Sequence, residues 1–115
     1  MDEKLREEVN NLHAQICGAL ADPTRILILY TLADRPHNVT ELAEALGMPQ
    51  PTTSRHLKTL RERGMVQAER EGQSVIYSLA DTRIIQALDL LRAFLADSLG
   101  SQVALARTVS GEIEE

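Results

Sequence analysis

Between Asn38 and Gly64 the apolar residues keep helical spacing, yet the run is broken once, at Gly47-Met48-Pro49, which no single helix survives. Pro49 and Pro51 lack the amide hydrogen that an interior helical position needs, so two short helices must meet at a turn of about three residues. Asn38, with Glu41 three residues on, has the spacing of a capping box for the first helix. Leu42, Ala43 and Leu46 form its buried face, and Gly47 stops it. The second helix is expected from Gln50 to Arg63, with Pro51 tolerated in its first turn and Gly64 closing it. At about 100° per residue, Thr53, Leu57 and Leu60 fall on one side. Pro51, Arg55, Lys58 and Glu62 point away, with Ser54 and Arg61 on the flank.

The flanking segments are also punctuated. Leu5, Val9, Leu12, Ile16 and Leu20 make one apolar stripe on an otherwise charged N-terminal helix, which therefore needs a partner surface. Asp22-Pro23 restarts the chain as N-cap and first helical residue. A helix from about Pro23 to Ala33 is apolar nearly all round and belongs in the core, and Asp34-Arg35-Pro36-His37 reads as a loop. After Gly64 the period changes: Met65–Arg70 and Val75–Leu79 read as two short strands around a Gly-bearing turn, one β-hairpin. A last long helix carries Ile84, Leu88, Leu91, Leu95 and Leu99, widened by Ile85, Leu90 and Phe94. The expected organisation is one domain over residues 1–100, mainly α with one β-hairpin, and a frayed helix and polar tail over 101–115.

Composition narrows what such a chain can do. With 115 residues, 43% apolar and 25% charged, it has room for one modest core. Aromatic residues make up only 3%, so Leu, Ile, Val and Ala must build that core, which favours helices. No window approaches the roughly 18 uninterrupted apolar residues of a membrane span, and the acidic start MDEKLREEVNN lacks the layout of a secretory signal. A cytoplasmic protein without membrane partners is expected. Cys17 is the single cysteine and cannot form an internal disulfide. The net charge of −5 conceals an asymmetry: Gln50–Arg70 holds Arg55, Lys58, Arg61, Arg63 and Arg70 against Glu62 and Glu69, a local +3 within a remainder of −8. A basic segment in an acidic body suits a protein that meets phosphate on one face only.

Two short helices around a Gly-bearing turn have the spacing of a helix-turn-helix. The second helix presents Ser, Thr, Gln, Arg and Lys outward near its N-terminal end, where a helix in the major groove meets base edges and phosphates. The hairpin, with Arg70, Gln73 and Ser74, can lie along the backbone as a wing. Four stretches then resemble the ArsR/SmtB family of bacterial winged-helix repressors: Leu20-Ala21-Asp22-Pro23-Thr24-Arg25, Val39 to Gly47, Gln50 to Leu60, and Gly64-Met65-Val66 before the hairpin. The resemblance implies a winged helix-turn-helix, a homodimer paired through its N- and C-terminal helices, and double-stranded DNA with a palindromic operator as partner. It places base reading on Gln50, Ser54 and Arg55, phosphate contacts on Thr52, Lys58 and Arg61, and the wing at Arg70 and Gln73. The full candidate DNA-contact set adds Thr53, His56 and Ser74, with a structural hydrogen-bonding role weighed as the stronger one for His56. The candidate dimerisation set is Leu5, Val9, Leu12, Ile16, Leu88, Leu91 and Leu95. Pro49 stands where the family often has a capping Ser.

The inducer sites of the family are not matched. Asn38-Val39-Thr40-Glu41-Leu42 lacks the cysteine pair of its arsenical, cadmium and lead sensors, and the last helix offers Asp81, Asp89 and Asp97 without the histidines of its zinc, cobalt and nickel sensors. Scattered carboxylates are poor ligands for a cation that prefers N or S donors, so no metal and no cofactor is expected. His13 and Cys17, four apart on one helical face, are the remaining candidates for a metal- or thiol-responsive repressor, against the reading of a small apolar cysteine beside a surface histidine. A winged helix serving protein contact alone is the second alternative, and the cationic face of the recognition helix speaks against it. An enzyme is least supported, because no nucleophile–His–acid set or phosphate-cradling Gly loop is present.

Overall fold

The computed structural model describes the backbone of residues 1–114 and the side chains of residues 1–100, so the tail expected over 101–115 lies outside the residues described in full. In order, the elements are α1 (Glu3–Leu12), a π turn (His13–Cys17), α2 (Gly18–Leu20), α3 (Pro23–Asp34), α4 (Val39–Leu46), α5 (Gln50–Glu62), β1 (Val66–Glu71), β2 (Ser74–Leu79) and α6 (Arg83–Glu114). Met1–Thr82 forms one compact unit, and α6 belongs to a second. Among the described residues no helix is by itself long and apolar enough to cross a membrane.

Capping chemistry sets the helix starts. Asp22 Oδ1 accepts from the Thr24 amide at 2.8 Å, with Pro23 in the first helical turn of α3. At α4 the box is complete: Asn38 Oδ1 accepts from the Glu41 amide at 2.8 Å, and Glu41 Oε1 accepts from the Asn38 amide at 2.9 Å. These backbone donors, ahead of the other charges nearby, hold the Asp22 and Glu41 carboxyls below their ordinary values. Gly47, at φ 63° and ψ 41°, ends α4 in the left-handed conformation that a side chain resists. Asn38→Ala removes the side-chain acceptor of the Glu41 amide and should cost about 1 kcal/mol in urea unfolding.

The N-terminal helix departs from expectation in its winding. Its stripe repeats at two consecutive fours, Leu12, Ile16 and Leu20, and four α-helical residues overshoot one turn. The wider π turn over His13–Cys17, closed by the Gly18 amide on His13 O, lets residues four apart stay aligned.

The core is aliphatic. Ile28, Leu29 and Leu32 of α3, Leu42 and Ala43 of α4, Leu57 and Leu60 of α5, then Met65 and Val66, are buried, with Ala19 joining them from α2. α3 is not buried all round, because Leu27 remains 54% exposed. β1 and β2 pair antiparallel from Val66↔Leu79 to Glu71↔Ser74, leaving a two-residue turn at Gly72-Gln73. Gly72 has φ 63° and Gln73 stays out of the left-handed region, the pattern of a type II′ turn. The segment read as a loop before α4 holds a β-bridge instead: His37 and Tyr77 exchange both backbone hydrogen bonds, at 3.0 and 2.8 Å. His37 is buried, and its Nδ1 donates to Arg35 O at 2.6 Å, which fixes the tautomer.

Candidate nucleic-acid interface

α5 is built to show one face and hide the other. Its buried side is Thr53, Leu57 and Leu60; Gln50, Ser54, Arg55, Lys58 and Arg61 are exposed. Pro49 gives the helix no side-chain cap, and its carbonyl instead accepts from the Thr53 amide at 3.1 Å and from Thr53 Oγ1 at 3.0 Å. This corrects one expected DNA contact: Thr53 is 0% exposed, with its hydroxyl bonded one turn back along its own helix, so it supports α5 and does not reach outward.

The exposed groups are oriented by short local contacts. Gln50 Nε2 donates to Thr40 Oγ1 at 3.1 Å, tying the first residue of α5 to α4 across the turn. Half-buried Thr52 accepts from Arg55 Nη2 at 3.2 Å through its hydroxyl. Among the described residues, Arg55, Lys58, Arg61 and Arg70 form no ion pair, so their charge is available to an external anion. His56 is different. It is half-buried, and Arg25 Nη1 approaches its Nδ1 to 3.5 Å, which gives it a partner within the chain.

The wing stands beside this helix. Gln73 and Ser74 at the hairpin tip and Ser54 of α5 line a cleft of about 330 Å3 of mixed polar and apolar lining, together with Asn38, Val39, Thr40, Val75 and Tyr77. Arg70 is exposed on β1. The geometry thus brings the N-terminal half of α5, the start of α4 and the hairpin tip onto one surface.

The candidate pairing residues divide. Leu5, Val9 and Leu12 of α1 are exposed and Ile16 is half-buried. In α6 Leu91 and Leu95 are exposed, whereas Leu88, expected at the interface, is 6% exposed within one chain and is not a free surface residue. His13 and Cys17 stand at the two ends of the π turn, with Cys17 exposed. Among the described residues of one chain, no three His, Cys, Asp or Glu side chains gather as a metal ion requires.

The family model described as "Bacterial regulatory protein, arsR family" matches residues 22–68, from the cap of α3 into β1. Over 103 residues the chain is 40% identical to the HTH-type transcriptional regulator CmtR of Mycobacterium bovis, covering 89% of this chain and 87% of that one. The chain belongs to the arsR family. It is also 49% identical over 76 residues to the HTH-type transcriptional regulator NmtR of Mycobacterium tuberculosis, a match covering 66% of this chain and 63% of that relative's length. Among solved structures, it superposes with a TM-score of 0.74 and 28% identity on the homodimeric winged helix-turn-helix DNA-binding domain of a possible ArsR-family regulator from Mycobacterium bovis, covering 86% of this chain and 91% of that one. The fold is therefore a winged helix-turn-helix of the arsR type. α4 and α5 form the helix-turn-helix, and the β1–β2 hairpin is the wing.

Proposed function

We propose that this arsR-family chain is a cytoplasmic, homodimeric, sequence-specific transcriptional repressor that occludes a palindromic operator and is released by a signal. The observation that carries this reading is the division of α5: cations that form no ion pair among the described residues on one face, Thr53, Leu57 and Leu60 buried on the other. Gln50, Ser54 and Arg55 read base edges. Thr52, Lys58 and Arg61 hold phosphates, and Arg70, Gln73 and Ser74 fix register from the wing. Two copies pair through the apolar faces of their N- and C-terminal helices, which sets the two recognition helices one duplex turn apart. Release is a shift between pairing geometries in which the two helices match or miss successive major grooves.

The test compares Arg55→Ala with Lys58→Ala on duplexes selected by the wild-type chain. A bidentate hydrogen bond from Arg55 to guanine is worth about 1–3 kcal/mol, so Arg55→Ala should lose preference at one base pair of each half-site. Lys58→Ala should weaken every duplex alike and lower the salt slope of binding by about 1 for each phosphate no longer neutralised. Identical effects from the two variants would refute the assigned roles.

A further inference from the structure

Arg63 counts toward the basic segment, but its guanidinium, though exposed, is engaged by the chain itself. Nη1 donates to Ala14 O, in the π turn, at 2.7 Å and lies 3.4 Å from Gln15 Oε1. A second arginine works on the same stretch of chain: Arg25 Nε donates to Ala19 O at 2.6 Å and Nη2 donates to Gly18 O at 3.2 Å. The carbonyls of Gly18 and Ala19 lie in the last turn of the N-terminal helical run, where the helix dipole leaves partial negative charge that a guanidinium satisfies well. Arg25 also reaches α5, through the 3.5 Å approach of Nη1 to His56 Nδ1.

The segment His13–Leu20 is therefore tied to the recognition helix at two places. One is at its C-cap, Arg63, and the other is at His56, seven residues earlier. Seven residues of helix span about 10 Å, and two attachments that far apart fix a rod's tilt as well as its position. Ala14 and Gln15 lie between Leu12 and Ile16 of the apolar stripe, so the anchored carbonyl sits within one turn of the face that pairs copies.

We infer that Arg63 is a positioning residue, which transmits the geometry of the N-terminal pairing helix to α5 and makes no DNA contact of its own. This rests on the reading of α5 as the helix that enters DNA. Without the clasp, each recognition helix can still meet one half-site, but two are no longer held at the spacing that a paired site demands. The consequence separates Arg63 from Lys58 and Arg61, which neutralise phosphate directly.

The experiment measures Arg63→Ala and Arg63→Lys against duplexes carrying one or two half-sites, over a range of salt, with sedimentation to confirm the oligomer. A hydrogen bond from a charged donor is worth about tenfold or more. Arg63→Ala is expected to remain dimeric, to lose about tenfold on the two-half-site duplex, to change less than about twofold on the single half-site, and to keep the wild-type salt slope. Arg63→Lys, which can still donate to Ala14 O, should recover most of the loss. A salt slope lowered by about 1 for each half-site engaged would make Arg63 a phosphate contact and overturn the inference. So would equal losses on both duplexes, or no loss on either. If the wild-type chain binds neither duplex, the proposed function falls, and amide exchange decides the clasp by itself. Arg63→Ala should speed exchange across His13–Leu20 about tenfold while the core of α3 is unchanged, and unchanged exchange in both would refute it.

Discussion

Leu12→Glu is expected to yield a folded monomer that loses about a hundredfold or more of its affinity for a two-half-site duplex. Leu12 is 53% exposed in the single chain, so a carboxylate there meets water and should leave helicity and the thermal transition of the subunit close to wild type. In a paired apolar face the same carboxylate is stripped of water without a counterion, which costs several kcal/mol and abolishes pairing. DNA affinity then falls because the second half-site is no longer engaged at the high effective concentration that linkage supplies, a factor of about 10²–10⁴. Sedimentation equilibrium and a binding titration on the same sample check both parts. A variant that stays dimeric would place the pairing face elsewhere than on α1.

Leu57→Ala is expected to cost about 2–5 kcal/mol, a large share of the roughly 5–15 kcal/mol that holds a domain together. Leu57 is fully buried on the inner side of α5, and truncation leaves a cavity that surrounding side chains fill only in part. Its neighbour Lys58 is exposed, so Lys58→Ala should stay within about 0.5 kcal/mol of wild type in the same urea titration. Adjacent residues of one helix thus divide between the core and the exposed cationic face. Similar stabilities for the two variants would contradict the division of faces on which the DNA-binding reading stands.

Local chemistry made much of this fold readable in advance. Asp22-Pro23, the Asn38/Glu41 box and Gly47 act within four residues of where they stand, so each boundary they dictate is found where the spacing places it. The hairpin follows for the same reason, from a change of period on either side of Gly72. Non-local placements were not readable. The bridge of His37 to Tyr77 joins residues forty positions apart, and nothing in Asp34–His37 alone announces a strand partner. Arg63 looks like any other cation of the basic segment until Ala14 O, 49 residues upstream, is brought to it.

One misplacement had a signal within the sequence. The helical wheel puts Thr53 with Leu57 and Leu60, and a buried threonine can satisfy its own hydroxyl one turn back, as it does on Pro49 O. The π turn had no such signal: the consecutive four-residue steps from Leu12 to Leu20 recur at Leu91, Leu95 and Leu99 of α6, which stays α-helical. In α6 the stripe alone could not separate Leu88 from Leu91 and Leu95. The spacing is shared, and only the packed chain distinguishes the buried position from the exposed ones.

Selection of duplexes from a random pool by the wild-type chain tests the account most directly. Two recognition helices held by one two-fold axis should enrich inverted repeats whose half-sites lie about 10–10.5 base pairs apart, centre to centre, or a multiple of that distance. Enrichment of a lone, unrepeated site, or a pool that remains random after repeated rounds at moderate salt, would contradict it.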